Sequence, residues 1–185
     1  MAERLQHFTP ESLDGERRAL YEAISGGPRA QGPQHFPLLR DDGSLRGPFN
    51  AFLLAPEIGS ALQSVGAAIR YSGTLSDRAR EIAILLVAAH WSSAFERDSH
   101  EAVCRAAGLT DAEIAALRRG VVSAFDGVEG VVAATTARLI HGDLDDKSWQ
   151  VASAALGAEG VFELSTLVGY YATLALQLRV FGVDA

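Results

Sequence analysis

The stretch that decides the fold is residues 78–104, RAREIAILLVAAHWSSAFERDSHEAVC. Its first part, Arg78 to Ala89, is rich in alanine, isoleucine and leucine and is apolar nearly all round, which is typical of a buried central helix. A polar interruption follows at His90-Trp91-Ser92-Ser93. Ala94 to Ala107 is helical again, until Gly108 ends the pattern. The stretch therefore predicts two consecutive helices at the centre of a helical domain.

Outside this stretch the chain predicts further helices, which share apolar residues at helical spacing: Leu13–Ser25, Glu57–Tyr71, Ala112–Arg119, Val128–His141, Asp145–Ala155 and Val161–Phe181. Thr110 and Glu113 form the sequence pattern of a capping box, which marks the start of one of them. No alternating strand pattern with hairpin turns occurs. We therefore predict an all-α protein.

A weak internal repeat relates the two halves of the helical region. Gly73-Thr-Leu75-Ser-Asp77 recurs as Gly142-Asp-Leu144-Asp-Asp146. An apolar helix precedes both copies and a long helical pair follows them. The repeat predicts two related helical halves that pack face to face, although the same pattern also describes many ordinary helix junctions.

The segment from Gly26 to Gly47 interrupts the helical pattern with several glycines and three of the six prolines. So long a connection suggests a lid or binding loop, while a mobile surface segment explains it equally well. We predict that residues 1–47 form an N-terminal helix and a lid-like loop, packed on the main helical domain at residues 48–185.

Composition and charge restrict the classes of function. The 185 residues are 48% hydrophobic and carry a formal net charge of −7, so nucleic acid and membrane surfaces are not expected partners. The N-terminus has no apolar signal core, and the longest apolar run, Ile82 to Ala89, is too short to span a bilayer. We expect a cytoplasmic protein whose apolar content favours a homo-oligomer.

The residues offer few ligands for a metal or a cofactor. Cys104 is the only cysteine, which excludes an internal disulfide, a CxxC pair and a cysteine-rich zinc site. Glu96 and His100 supply only two suitable ligands, and no HExxH motif adds more. Gly157 to Gly160 lacks the strand and the Gly-Lys-Ser/Thr sequence of a phosphate loop. We expect no metal and no cofactor.

Four polar residues form the candidate site. Glu96 and His100 are four residues apart, so both lie on one helix face and can touch. A carboxylate beside an imidazole orients the ring and raises its basicity, as in a proton-transfer pair. Ser93 lies one turn earlier. Glu81, in the apolar helix, needs a partner or must be protonated.

Each of these residues also has a structural explanation. Ser93 and Glu96 fit the spacing of a capping box at the start of a helix. Glu81 could pair with Arg78 or Arg80. His100 or His90 could be a histidine whose hydrogen bonds are satisfied at an interface, and a lone helical cysteine such as Cys104 is usually a small packed hydrophobe.

The chain resembles the carboxymuconolactone decarboxylase and alkyl hydroperoxidase D superfamily. The resemblance lies in Arg80-Glu81-Ile82-Ala83-Ile84-Leu85, in the twelve-residue step to Ser93, and in Ser93-x-x-Glu96-x-x-x-His100-x-x-x-Cys104-x-Ala106-Ala107-Gly108-Leu109. Glu163 to Tyr171 resembles the final helix of the family. The resemblance covers residues 45–182 and implies an alkyl hydroperoxidase D-like helical bundle. It also implies a cofactor-free homo-oligomer, a trimer or hexamer, with pockets near the subunit contacts.

The resemblance also implies a class of reaction. In the peroxidase branch the positions of Ser93 and Glu96 hold two redox cysteines, which this chain lacks. It therefore resembles the decarboxylase branch, which implies a lyase or isomerase acting on a small cyclic or unsaturated carboxylic acid or lactone. His100 is then the general acid/base, Glu96 orients it, and Glu81 completes the proton relay.

Four residues are expected to bind the small-molecule substrate: Ser93, Arg46, Phe49 and His90. Arg46 and Phe49 lead into the first core helix, and Arg46 can hold a substrate carboxylate or carbonyl. Two other functions stay open. One is a non-catalytic helical binding or assembly protein that keeps the motif for structure. The other is a degenerate peroxidase or disulfide reductase, which the missing cysteines disfavour.

Overall fold

The computed structural model describes residues 4–31 and 35–183. Its helices are α1 Gly15–Ser25, α2 Pro28–Gln31, α3 Pro48–Phe52, α4 Pro56–Tyr71, α5 Asp77–Trp91, α6 Ala94–Ala106, α7 Asp111–Arg118, α8 Gly127–Leu139 and α9 Asp146–Phe181. Short 3-10 turns occupy Pro10–Ser12 and Val122–Ala124. Within the described ranges there is no strand beyond an isolated bridge between Leu39 and Leu45. The predicted all-α fold is confirmed.

The chain forms two compact units. The first takes in the described residues up to Ser72 together with those from Gln177 onward, and the second is Gly73–Leu176. The boundary that the sequence suggested at residue 47 falls inside the first unit, where Pro48 begins α3. The predicted division into residues 1–47 and 48–185 stays a prediction.

In the first unit, α1 and α3 pack on α4. α1 is amphipathic and buries Leu20 and Ile24. Asn50, which is buried in α3, fixes the N-terminal segment. Its Oδ1 accepts a hydrogen bond from the backbone N–H of Phe8 at 3.1 Å, and its Nδ2 donates to the carbonyl of Gln6 at 2.9 Å. One side chain thus satisfies two backbone groups that would otherwise lack partners.

The described part of the long connection is a packed turn. The Arg40 N–H donates to the Ser44 carbonyl at 2.8 Å, and the Arg46 N–H donates to the Leu38 carbonyl at 2.9 Å. Leu38 and Leu45 are both buried. These bonds are what an ordered loop requires, whereas its role as a lid stays a prediction.

The second unit is built around α5, against which α6, α7 and α8 all pack. Every residue from Ala79 to Ala88 is buried, so the predicted buried central helix is confirmed. Cys104 lies in the same apolar cluster as Ile82, Leu86 and Leu117. Burial raises the pKa of its thiol, which stays protonated as a small hydrophobic side chain would require.

Helix ends agree with the local signals in the sequence. The Thr110 hydroxyl accepts a hydrogen bond from the Glu113 N–H, and the Glu113 carboxylate accepts one from the Thr110 N–H, which confirms the capping box. Gly108 and Gly142, just beyond α6 and α8, adopt positive φ angles of 90° and 74°. Gly157, at φ 69° and ψ 169°, interrupts α9 where the sequence predicted a break.

The two copies of the repeated junction share their capping geometry. The Ser76 hydroxyl accepts a hydrogen bond from the Ala79 N–H at 3.2 Å at the start of α5. At the equivalent position, Asp145 accepts one from the Ser148 N–H at 2.7 Å at the start of α9. Both are N-caps three residues after a glycine. The repeat therefore encodes the same helix start twice.

Among the described helices, Asp146–Phe181 is long and apolar enough to cross a membrane by length and composition. The most apolar stretch of 18 residues in this helix contains a few polar residues. The sequence therefore showed no uninterrupted apolar run there. One third of that stretch, 33%, is buried, and Gly157 interrupts the helix geometry. Core helices of water-soluble proteins also have this length and composition. A cytoplasmic location stays a prediction.

Candidate active site

The centre of the candidate site is a buried contact between α5 and α6. Glu81 Oε2 lies 2.7 Å from His100 Nδ1, and the two side chains are only 2% and 9% exposed. The connection between the helices is short, and Ser92 adopts a left-handed conformation with φ 52°. A non-glycine residue in this region is uncommon and strained. The sharp turn packs α6 back on α5, which brings together two residues that are distant in sequence.

The structure corrects the partner predicted for His100. Helical spacing suggested Glu96, but the carboxylate that contacts the ring is Glu81. Both Glu96 oxygens are buried with no hydrogen-bond partner among the described residues. Spacing along one helix could not reveal this, because the bond to Nδ1 crosses between two helices.

Glu81 has a second, weaker partner. Arg80 Nε lies 3.7 Å from Glu81 Oε1, so the carboxylate is placed between a guanidinium and an imidazole. The prediction that a glutamate in this apolar helix needs a partner is confirmed. Arg78, the other candidate, instead pairs with Glu113 and Glu129.

Glu96 is a buried carboxyl group held in its neutral form. Its side chain lies on α6 with the residue only 2% exposed. Burial raises its pKa from 4.5 to about 8, so the group is mostly protonated at neutral pH. A protonated carboxyl can donate a hydrogen bond, which a carboxylate cannot do.

Ser93 and Glu96 do not form the capping box that their spacing allows. Ser93 is the N-cap of α6, but its side chain accepts no capping hydrogen bond. Its hydroxyl is buried and has no partner in the described part of the chain. The structural explanation of these two residues is therefore wrong. Thr110 and Glu113, which have the same spacing, do form the box.

Tyr171 is a neighbour of His100 that the sequence did not single out. The two rings meet edge to face, with centroids 5.3 Å apart and planes at 85°. Tyr171 lies on α9, 71 residues after His100 in the chain. The only signal in the sequence was that the run from Glu163 to Tyr171 resembles the final helix of the family.

A cavity of about 470 Å³ lies beside these groups and is lined by Leu85, Ala88, Ala89, Ser92, Ser93, Arg97, Asp98 and Arg118. Leu85 and Ala88 follow Glu81 by one and two turns on the same face of α5. Ser93 precedes His100 by two turns on the same face of α6. The cavity therefore lies one to two helical turns from the Glu81–His100 pair, and neither residue is part of its lining.

His90 lines a neighbouring cleft of about 290 Å³, together with Leu86, Ala89, Arg118, Arg119, Gly120, Ala137, Ile140 and His141. The rings of His90 and His141 meet edge to face with centroids 5.2 Å apart. Ser93 and His90, both predicted to bind substrate, thus face two adjoining spaces that share Ala89 and Arg118. A role for His90 in binding stays a prediction.

Arg46 and Phe49, the other predicted binding residues, belong to the first unit. Phe49 is buried and packs edge to face on Phe52, with ring centroids 5.8 Å apart. Arg46 is half-buried, and its backbone N–H is bonded within the packed turn. Their contact with substrate stays a prediction.

Across the described ranges, no group of three or more His, Cys, Asp or Glu side chains is placed to hold one metal ion. No curated protein matches the chain. The model of the carboxymuconolactone decarboxylase family matches residues 56–147, about half of the chain. The match contains Glu81, Ser93, Glu96 and His100, and the helical fold agrees with it. The chain belongs to the carboxymuconolactone decarboxylase family.

Proposed function

We propose that this protein is a cofactor-free acid/base enzyme, a decarboxylase or a related lyase or isomerase. Its substrate is a small cyclic or unsaturated carboxylic acid or lactone. The observation that carries the proposal is the buried contact of 2.7 Å between Glu81 and His100. Membership of the carboxymuconolactone decarboxylase family supports the class of function.

His100 is the proposed general acid/base. Glu81 engages Nδ1, which fixes the ring and directs Nε2 towards the reacting atoms. When Nε2 takes a proton, the ring becomes an imidazolium beside the Glu81 carboxylate. The carboxylate then lies next to the positive charge that develops on the ring. Glu81 therefore takes the orienting role that the sequence assigned to Glu96.

Glu96 acts as a hydrogen-bond donor in this proposal. Its pKa of about 8 keeps the proton on the carboxyl group at neutral pH. A neutral carboxyl aimed at a carbonyl stabilises the negative charge that develops on oxygen when a neighbouring carbon loses carbon dioxide or a proton. The buried, unpartnered Glu96 oxygens support this role, because a substrate oxygen would complete their hydrogen bonding.

The bond changes require only proton transfer. In decarboxylation, the bond between carbon and the carboxylate breaks, and its electron pair moves into the conjugated double bond or carbonyl. The His100 imidazolium then delivers a proton to carbon as carbon dioxide leaves, and a solvent proton restores the imidazolium. In isomerisation, neutral His100 removes a proton from one carbon and returns it to another. Neither route changes the oxidation level of the protein.

The test is proton NMR in D₂O with a panel of carboxylated unsaturated lactones, including carboxymuconolactone, and conjugated dicarboxylic acids. Deuterium uptake at carbon, double-bond migration, lactone opening and loss of the carboxyl group are all visible in one spectrum. We expect His100→Asn to slow turnover by at least about 100-fold. Glu96→Gln keeps a donor and should retain more turnover than Glu96→Ala.

The matched control is His7→Asn, the same substitution at a histidine of the first unit that lies beside Asp42. It should leave turnover unchanged. A folded His100→Asn variant with the wild-type rate would refute the role of His100. A wild-type protein that converts and exchanges no member of the panel would refute the proposed class of substrate.

We also propose that the protein is a homo-oligomer, a trimer or hexamer. Large apolar side chains on α9 are exposed in the single chain, among them Phe162 at 73%, Val151 at 52% and Trp149 at 44%. The number of large apolar side chains exposed on this one helix favours association. Light scattering at micromolar concentration should report a mass of three or six chains, and a monomer would refute the proposal.

A further inference from the structure

Arg118 lies in the wall of the cavity beside Ser93, and one edge of its guanidinium is fixed by an ion pair. Both Nε and Nη2 of Arg118 donate to the carboxylate of Glu101. Glu101 is buried, with 7% of its surface exposed, and it directly follows His100 on α6. A bidentate pair with a buried carboxylate fixes the position of the guanidinium before any ligand arrives.

The guanidinium has an unused edge. It carries five N–H donors in a rigid fork, and Glu101 occupies the edge formed by Nε and Nη2. Within the part of the chain that the structure describes, Nη1 of Arg118 has no hydrogen-bond partner. The side chain is 49% exposed, so this edge remains accessible to a second carboxylate.

The rest of the lining fits a small amphipathic acid. Ser93 is 8% exposed, and its hydroxyl is buried without a partner among the described residues. A buried hydroxyl of this kind is stabilised when a ligand or water bonds to it. Leu85, Ala88 and Ala89 provide an apolar wall. The volume of about 470 Å³ is within the usual range for small-molecule sites.

The charged side chains of the lining are Arg97, Arg118 and one acid, Asp98. Arg97 donates to its neighbour Asp98 at 2.8 Å, and both side chains are about half exposed, so their charges offset each other. Arg118 is also paired, with Glu101, but that pair uses only one edge of the guanidinium. Arg118 is therefore the cation that can offer further N–H donors to a ligand.

We propose that Arg118 binds the carboxylate of the substrate in the cavity beside Ser93. The apolar part of the ligand lies against the α5 wall, and Ser93 bonds to a carbonyl or hydroxyl of the ligand. The ligand class is a small, largely apolar monocarboxylate or dicarboxylate. The inference rests on the proposed function only in taking this ligand to be the substrate of His100. Arg118 then has the anchoring role that the sequence gave to Arg46.

The experiment uses benzoate as the probe and benzamide as its neutral counterpart, titrated calorimetrically into the full-length protein. The variants are Arg118→Gln and the matched control Arg119→Gln. Arg119 is the next residue and is also exposed, but it lines the neighbouring cleft and not the Ser93 cavity. We expect Arg118→Gln to weaken benzoate binding at least about 10-fold and Arg119→Gln less than about 2-fold. Benzamide should bind equally to all three proteins.

Arg118→Lys guards against a folding defect in the glutamine variant. Lysine keeps the positive charge beside Glu101 but lacks the second N–H edge of the guanidinium. Benzoate should therefore still bind this variant more weakly than the wild type. Equal losses in the Arg118 and Arg119 variants would show a diffuse charge effect and overturn the proposal. Benzoate that binds the wild type and Arg118→Gln equally, or does not bind the wild type, would also overturn it.

The two proposals fail in different ways. His100→Asn should lose turnover and keep its affinity for benzoate. If Arg118→Gln loses benzoate while His100→Asn keeps turnover, the acid/base proposal fails and the Arg118 site stands. If His100→Asn loses turnover while Arg118→Gln keeps both benzoate affinity and KM, the Arg118 site fails and the acid/base proposal stands.

Discussion

Replacing Glu96 with glutamine should make the protein less sensitive to alkaline pH. Burial raises the pKa of this carboxyl group in the folded protein, whereas the unfolded chain has the ordinary value of 4.5. The folded state therefore binds the proton more tightly than the unfolded state does. As a result, the free energy of unfolding of the wild type falls as pH rises from about 4.5 to about 8. Glutamine has the shape of the protonated group and cannot ionise.

The size of the effect follows from the two pKa values. A change of one in pKa corresponds to about 1.4 kcal/mol. Between pH 6 and pH 8.5, the proton linkage of a group with values of 4.5 and about 8 changes the free energy of unfolding by about 2–3 kcal/mol. The stability of Glu96→Gln relative to the wild type should therefore increase by that amount over this range. The lower end of this pH range, pH 6, lies above the sequence pI of about 5.2.

The assay is urea unfolding at fixed protein concentration, followed by circular dichroism at several pH values. At each pH, the free energy of unfolding of the wild type is subtracted from that of the variant. This difference removes the contribution of all other titrating groups. Glu22→Gln is the control, because Glu22 is an exposed glutamate on α1, away from the helix proposed to associate. Its difference from the wild type should stay within about 0.5 kcal/mol at every pH.

Two results would refute this reasoning. A difference between Glu96→Gln and the wild type that is the same at pH 6 and pH 8.5 would mean that burial does not hold the carboxyl group neutral. A variant that becomes less stable than the wild type as pH rises would mean that an ionised Glu96 has a favourable partner. The second result would also remove Glu96 as a hydrogen-bond donor in the proposed mechanism.

Two further predictions concern stability. Ser93→Ala should leave the free energy of unfolding unchanged or raise it by up to about 1 kcal/mol, because it removes a buried hydroxyl without a partner. Thr110→Ala removes a capping residue whose side chain does form a hydrogen bond, so it should lower the free energy of unfolding by about 1 kcal/mol. Equal effects of the two substitutions in urea unfolding would contradict the difference between the two caps. Gly157→Ala should cost about 1–3 kcal/mol because of its φ of 69° and ψ of 169°. Gly169→Ala, where the added methyl group meets nothing within 4 Å, should be neutral or stabilising, and a thermal melt that ranks the two glycine variants the other way would refute the conformational argument.

Features that depend on local sequence could be predicted. Residues 79–88 are apolar on every side apart from Arg80 and Glu81, and the helix they form is buried throughout. Thr110 and Glu113 are neighbours across one helical turn, so their capping box needs nothing beyond that turn. Gly108 and Gly142 end helices for an equally local reason, since each adopts a positive φ.

Features that depend on packing between helices could not be predicted. Ser93 and Glu96 have the same spacing as Thr110 and Glu113, yet only the second pair forms a capping box. The Glu113 side chain is 23% exposed and reaches back to its cap, whereas Glu96 is almost fully buried. Periodicity indicates which face of a helix a residue occupies, but not which neighbouring element covers that face.

The same limit explains the remaining site residues. The partner of His100 proved to be Glu81, 19 residues away on another helix. Tyr171 reaches the His100 ring from α9, and Arg118 reaches the cavity from the end of α7. Each contact joins residues that are far apart in sequence. A single sequence carries no signal of such a contact apart from resemblance to a family.

Because the connection between α5 and α6 is short, the number of residues between Glu81 and His100 is as important for the site as their identity. Ser92 and Ser93 alone separate the two helices. One inserted or deleted residue within α6, between Ser93 and His100, would turn the following part of the helix by about 100° and shift it by about 1.5 Å along its axis. His100 would then point away from Glu81, although every side chain of the site would still be present. Insertions and deletions in this short segment should therefore abolish the site more surely than most substitutions would.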